Sequence, residues 1–412
     1  VERLQAHDLG PVRAGGTAEA AVGRQEQVIT KSYTSFADRT GYLVEKAGAG
    51  AAPEEGLGLA VTGRTTAGRC AAAEAAGRFT FPGTGPGAEL LRGYAKVGFG
   101  ALELEAGRDD LVWGPGRYAT MTLSGNARAL DQLSLRTSRP VVLPWIFRYL
   151  GDVQGVIFVA RLDQELPFKN PYLIGKRINV LLFPWLEVGV VHLFAFGGEG
   201  APRYPASYFL QEFFLGYRTH VYTENFSNNA FSWDVRLKVK SWFELYWEHY
   251  FEDCCASLFT RDTSIMAGVR RPQLFSWRDD LALEFVLTTS IAYTHGNSAE
   301  FEQQGRVTGY PIGNSGLGAY ALWRYLGDEG GLARLRLGME QRRVPHPTDF
   351  PGQVDEWRVG GEFEGRLPLI GRRAGRVDAL TRLILQRVFA AEHVPGNDRT
   401  AGLIEVGLAA VF

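Results

Sequence analysis

Cysteine is nearly absent. Cys70, Cys254 and Cys255 are the only three in 412 residues, and two of them are adjacent, so the sequence offers no disulfide framework. No second pair of Cys or His stands at ligand spacing, and neither a metal nor a cofactor is expected. His192, His220, His249 and His295 are scattered along the chain, a pattern that reads as structural. Charge of one sign is also missing. With 44 basic residues against 45 acidic ones, nothing points to nucleic acid as a partner. No stretch reaches the run of about eighteen apolar residues that a transmembrane helix requires. The chain shows neither an initiating Met nor a signal peptide, as expected of a mature or trimmed product.

What is abundant suits strands. Fifty glycines and an aromatic content of 12% favour many strands joined by tight turns over helices. A membrane stays within reach, because a β-barrel crosses it with tilted strands of about 9–11 residues that alternate between lipid and lumen. In "FSWDVRLKV", Phe231, Trp233, Val235, Leu237 and Val239 share one face, against Ser232, Asp234, Arg236 and Lys238. "WFELYWEHYF" repeats the pattern, with Phe243, Leu245, Trp247 and Phe251 opposed to Glu244, Tyr246, Glu248 and Tyr250. Lys240 and Ser241 between the two read as a hairpin turn. "LARLRLGME" sets Ala333, Leu335, Leu337 and Met339 against Arg334, Arg336 and Glu340, and "EWRVGGEFEGRL" sets Trp357, Val359 and Phe363 against Arg358, Glu362, Glu364 and Arg366.

Half-exposed strands of a soluble sheet would show the same period. A polar face that keeps Arg and Glu on strand after strand, however, would demand a very large one-sided sheet. The chain also ends in "AGLIEVGLAAVF", where Ile404, Val406, Leu408, Ala410 and Phe412 share a face. An aromatic C-terminus resembles the terminal strand of bacterial outer-membrane barrels. The expected fold is therefore all-β: a transmembrane antiparallel β-barrel of about 18 strands, at roughly 20 residues per strand and connection, preceded by a small helical segment.

Residues 1–50 are expected to form that N-terminal segment and its linker, with Leu4 and Leu9 in a short helical pattern, and residues 51–412 the barrel. Strands are expected to begin at "LGLAVTGRTT" and continue through "LLRGYAKVGFG". A barrel this wide is expected to hold water, so that lumenal Arg, Glu and Tyr escape desolvation.

The stretch "ALELEAGRDDLVWGPGRYATMTLSGNA", residues 101–127, breaks the alternation. Asp109 and Asp110 invite a glycosidase reading, but neighbours on an extended chain point to opposite faces and cannot flank one bond at about 5–9 Å. Two readings remain open. One is a structural corner in which Arg108 holds Asp109 or Asp110 and Gly107, Gly114, Pro115 and Gly116 permit the bend. The other is a sugar platform, with Trp113 stacking and Arg108 and Asp109 bonding to hydroxyls.

This stretch resembles the signature of the Wzi-type capsule assembly family, with its Gly-Arg-Asp, Trp-Gly-Pro-Gly and Leu-Ser-Asn arrangement. The resemblance continues through "LPWIFRYLG", "ARLDQELPFKNPYLIGKRI" and "LEVGVVHLFAFGGEG", and more weakly through "THGNSAEFEQQGRVTGYPIGNSG" and "VPGNDRTAGLIEVGL". The opening "VERLQAHDLG" resembles the helical periplasmic segment that precedes the family's barrel. The resemblance implies a bacterial outer-membrane barrel, its N-terminus in the periplasm, that binds surface polysaccharide or assists its export and attachment. Arg108, Asp109, Trp113, Gly114, Pro115 and Gly116 occupy the family's motif. After "FGGEG" the chain departs from the pattern, keeping only Asn228 and Asn229, and Cys254 and Cys255 match nothing in it.

The leading expectation is a non-enzymatic barrel that binds, anchors or exports capsular or exopolysaccharide. Its expected contacts are Arg108, Asp109, Trp113, Arg117, Glu244, Tyr246, Glu248, Tyr250, Arg334, Arg336 and Glu340. Expected partners are the surface polysaccharide, outer-membrane lipid and a periplasmic export component. A general porin is the alternative, selective through the same charges without sugar affinity. A hydrolase or acyltransferase would need a Ser or Asp beside a His on the lumenal face. Ser290 and His295 lie near each other but no third member is evident, so no catalytic residue is expected.

Overall fold

The computed structural model describes residues 13–26, 55–67, 70–82, 86–164, 168–215, 227–252, 263–294, 300–327, 330–344, 352–372 and 375–411. The expected helix at "VERLQAHDLG", most of the linker, Cys254, Cys255, His295 and Phe412 lie outside the described residues. Among the described residues eighteen long strands run antiparallel in chain order. They are β1 (Arg13–Glu26), β2 (Glu55–Ala67), β3 (Ala71–Pro82), β4 (Gly87–Phe99), β5 (Leu102–Asp109), β6 (Leu130–Thr137), β7 (Asp152–Arg161), β8 (Tyr172–Phe183) and β9 (Leu186–Phe196). The second half holds β10 (Ser227–Val239), β11 (Phe243–Glu252), β12 (Thr263–Pro272), β13 (Asp279–Leu287), β14 (Gly316–Leu326), β15 (Leu332–Arg342), β16 (Glu356–Arg372), β17 (Gly375–Phe389) and β18 (Arg399–Val411). A further two-residue strand, Val141–Val142, pairs with β7 beside the ring.

The ring closes because β1 pairs with β2 on one side and with β18 on the other, Thr17 opposite Val411 and Glu26 opposite Gly402. Closure removes the open edges that would otherwise stay unpaired. Residues 13–26 were expected to lie in a helical segment and linker outside the barrel; they form its first strand instead. "RAGGTAEAAVGRQE" is rich in small residues that read weakly as helix. The unpaired amides of β2 and β18 outweigh that local preference.

The alternation follows the expected faces. Ile404, Val406 and Leu408 point outward and are 58%, 54% and 53% exposed, while Leu403, Glu405 and Ala409 on the alternate positions are buried. Val359, Leu337, Phe285, Leu245 and Val97 continue the outward apolar surface around the wall. Lys240 takes a left-handed conformation in the turn between β10 and β11, as its hairpin position requires. Among the described residues no helix is long and apolar enough to cross a membrane.

The two ends of the barrel differ. At the end where β18 finishes, turns are short, as at Pro184–Trp185 and Lys240–Trp242, and Trp185, Trp242, Phe275 and Trp277 stand exposed there. At the other end longer connections follow β5, β7, β9 and β13. We call it the long-loop mouth.

The interior differs from the expected aqueous lumen. Residues 110–129 and, from a second connection, residues 288–294 and 300–315 fold back from the mouth into the barrel. Their Trp113, Met121, Leu123, Tyr293, Phe301, Tyr310 and Ile312 join inward residues of β7 to β14, among them Phe158, Leu193, Tyr246, Met266 and Tyr320, in one buried apolar cluster. Tyr246 and Tyr250, expected to line water, belong to this core. A wide barrel has a lumen that its own chain can fill, and burying these large side chains is the driving force.

The remaining inner wall carries paired charges. Arg336 and Arg382 both reach Glu362 at 2.8 Å, Arg334 meets Glu364 at 2.7 Å, and Arg136 meets Glu105 at 2.7 Å. Inward charges of opposite sign on neighbouring strands satisfy one another where solvent is scarce.

Candidate functional site

The plug built by residues 110–129 explains why the sequence there breaks period. Trp113 pairs with Leu123 across a tight loop, its N–H donating to the Leu123 carbonyl at 2.9 Å. Three glycines make the path possible. Gly107 has φ of 130°, and a Cβ there would lie 2.2 Å from the Gly93 carbonyl oxygen. Gly114 has φ of 140° and faces the Glu248 carboxylate; at Gly116 a Cβ would fall 1.8 Å from the Ala119 carbonyl oxygen. Only glycine fits such approaches.

Carboxylates on the wall hold the plug by its main chain. Met121 N–H donates to Glu248 at 3.0 Å, and the Thr122 hydroxyl donates to the other oxygen of the same carboxylate at 3.0 Å. Glu284 accepts the main-chain N–H of Arg117 and of Tyr118 and the Tyr246 hydroxyl at 2.8 Å. The Arg117 guanidinium meets Glu244 at 2.8 Å. Tyr118 stacks on Tyr320 with ring centroids 3.9 Å apart, and burial, aided by the Glu340 charge, holds its phenol well above the ordinary value. The second connection locks onto the first: the Tyr293 hydroxyl donates to the Met121 carbonyl at 2.7 Å and Asn126 Nδ2 donates to the Val307 carbonyl at 2.9 Å.

The expected sugar contacts therefore fall in separate places. Trp113 is 5% exposed and packs edge-on against Phe158 at 5.2 Å. Arg117, Glu244, Tyr246 and Glu248 come together as the plug's docking site, with the Tyr250 ring tilted against Tyr293 beside it at 5.1 Å between centroids. Arg108 does not hold Asp109 or Asp110: its guanidinium makes a two-point pair with Asp131, at 2.8 and 2.6 Å, across β5 and β6. It shares the outward face with Leu102 and Leu104, so the alternation that separates Asp109 from Asp110 also separates Arg108 from Asp109. Arg334 and Arg336 lie in the lumenal charge ladder, and Glu340 accepts the Tyr320 hydroxyl at 2.8 Å. Gly114, Pro115 and Gly116 lie in the plug segment, whereas Gly107 stands within β5, opposite Tyr94 and Gln132.

Sequence reasoning passed over Glu284 and the mouth. Glu284 had a legible signal, an acid set between the buried Ala282 and Val286 on the inward face, which demands a partner. The mouth had none. There Gln304 of the second plug segment donates to Asp163 at 2.8 Å, Arg128 of the first lies 4.0 Å from the same carboxylate, and Arg161 and Asn170 reach Glu199 at 3.5 and 3.4 Å. The Asp163 and Glu199 side chains are 50% and 62% exposed. Among the described residues no group of acids, His and Cys is placed to hold a metal.

An apolar-walled antiparallel ring with its own loops packed inside defines an outer-membrane-type β-barrel with an occupied lumen. The capsule assembly protein Wzi family matches residues 19–326, and the chain belongs to that family. Among solved structures it is similar to the Escherichia coli protein Wzi, described as an outer membrane protein involved in group 1 capsule assembly and a carbohydrate-binding β-barrel. The TM-score is 0.69 at 16% identity, covering 96% of this chain and 84% of that one. It is also similar in fold to Pseudomonas aeruginosa OprD, at a TM-score of 0.55 and 10% identity over 99% of this chain and 97% of that one. An uncharacterized 55.8 kDa protein in the cps region of Klebsiella pneumoniae is 24% identical over 148 residues, 36% of this chain. The match spans 29% of the length of that relative.

Proposed function

We propose that the protein is a non-enzymatic outer-membrane barrel that binds surface polysaccharide at its long-loop mouth. The plug carries this reading: with Trp113 packed inside it and Tyr246, Tyr250 and Glu248 buried beneath it, the polar groups within reach of a polymer among the described residues include those around Arg128, Asp163, Gln304 and the Arg161–Glu199 pair. Exposed guanidinium, carboxylate and amide groups suit hydroxyl-rich and uronate-bearing chains, which are held by many modest hydrogen bonds. Family membership and the E. coli barrel's carbohydrate binding support the same substrate class. In this reading the buried members of the expected site act by seating the plug that supports the mouth. Short turns face the periplasm and long loops the cell surface, the usual orientation of such barrels.

Planar-bilayer conductance combined with polymer pull-down tests the reading. The plugged lectin-like barrel gives no large steady current and retains the polysaccharide of its own source cell. A large current indifferent to the polymer supports a general porin instead.

A further inference from the structure

The helix α1 (Ala206–Leu215), in the connection after β9, lies on the outside of the barrel. On β9, Val191, Leu193 and Ala195 belong to the interior core, so Val190, His192, Phe194 and Phe196 face outward; Val190 is 54% exposed, but His192 is 6% and Phe194 0%. What covers them is α1: Phe209 packs edge-on against Phe194 and Phe196 with centroids 6.0 and 5.7 Å away. The wall beneath is polar for an outer face. His192 hydrogen-bonds Asn229 at 3.0 Å, and the buried Glu212 of α1 accepts the Tyr204 and Ser227 hydroxyls and Asn229 Nδ2 at 3.3 Å. Lys176 donates to the Phe213 carbonyl at the helix end, its Nζ 5.3 Å from the Phe213 ring. Leu210 and Phe214, on the opposite face of α1, are 53% and 73% exposed.

Height along the wall decides what those two residues meet. A strand rises about 3.4 Å per residue, and at a tilt of about 40° the ten steps from Leu186 to Phe196 climb on the order of 26 Å, close to the roughly 25 Å apolar band of such barrels. The four steps from His192 to Phe196 occupy about the last 10 Å of that climb. Below them Val190 and Ile178, each 54% exposed, continue the outward apolar surface.

We propose that α1 is embedded in the hydrocarbon layer of the leaflet on the mouth side, presenting Leu210 and Phe214 to acyl chains while it screens Lys176, His192, Ser227 and Asn229 from them. The helix thereby replaces a stretch of apolar wall, and Glu212, which would be costly in lipid, is held by its partners underneath. This interaction surface is independent of what the mouth binds.

Spin labels test it in the full chain in lipid bilayers, with Cys70, Cys254 and Cys255 replaced by Ser and a nitroxide at Leu210→Cys or Phe214→Cys. Val190→Cys serves as the lipid reference and Glu199→Cys as the aqueous one. Folding of each variant is checked by its gel shift on heating. The expected result is an oxygen-to-nickel-chelate accessibility ratio at both helix positions that matches Val190 and exceeds Glu199 several-fold. A ratio matching Glu199 places the helix in water and overturns the proposal. Protection from both reagents overturns it too, since a protein surface then covers the helix.

Discussion

Glu248 on β11 accepts the main-chain N–H of Met121 at 3.0 Å, tying the middle of the plug to the wall. Both residues are fully buried, so this bond has no water to replace it. Glu248→Ala orphans the Met121 amide, an expected cost of about 1–3 kcal/mol for the unmet donor. Glu248→Gln keeps one acceptor oxygen and costs less. Denaturant unfolding in detergent reads the order wild type, Gln, Ala; an Ala variant as stable as wild type contradicts the hook.

The plug's path depends on missing side chains. Gly116→Ala places a methyl group 1.8 Å from the Ala119 carbonyl oxygen, whereas Gly125→Ala meets nothing within 4 Å. Limited proteolysis is expected to cut the plug of the first variant and leave the second as resistant as wild type.

Trp113→Ala empties a packed interior position and is expected to cost about 3–5 kcal/mol, with Trp113→Phe much milder. If Trp113 serves the core alone, polymer affinity of the Phe variant stays at the wild-type value. Loss of affinity in a fully stable Phe variant assigns the ring to the sugar.

Arg177 on β8 meets Asp234 on β10 at 2.7 Å, with both side chains nearly covered. Asp234→Ala leaves that guanidinium uncompensated and is expected to cost about 3–5 kcal/mol, while Arg177→Met combined with Asp234→Leu recovers most of the loss. Thermal unfolding of the single and double variants separates the two cases.

The barrel wall was legible because each strand meets two different surroundings, and "FSWDVRLKV" records both in alternate residues. β1 was not, since "AGGTAEAAVG" carries no strong period and becomes a strand only when β2 and β18 offer it partners. The plug was half legible. Its glycines marked a bend, but whether Trp113 meets solvent or Phe158 depends on strands far away in sequence, and a single chain carries no local record of them. Nor does the mouth cluster show in sequence, because Arg128, Asp163 and Gln304 come from three separate connections.

Equilibrium titration of labelled cell-surface polysaccharide against the protein in bilayer discs tests whether polymer binds at the mouth of the plugged barrel. Wild type and Tyr246→Phe are expected to bind alike, and Arg128→Ala with Asp163→Ala to lose most of the affinity while remaining folded. Binding that ignores the mouth variant, or is absent from the wild type, rules out recognition at the mouth.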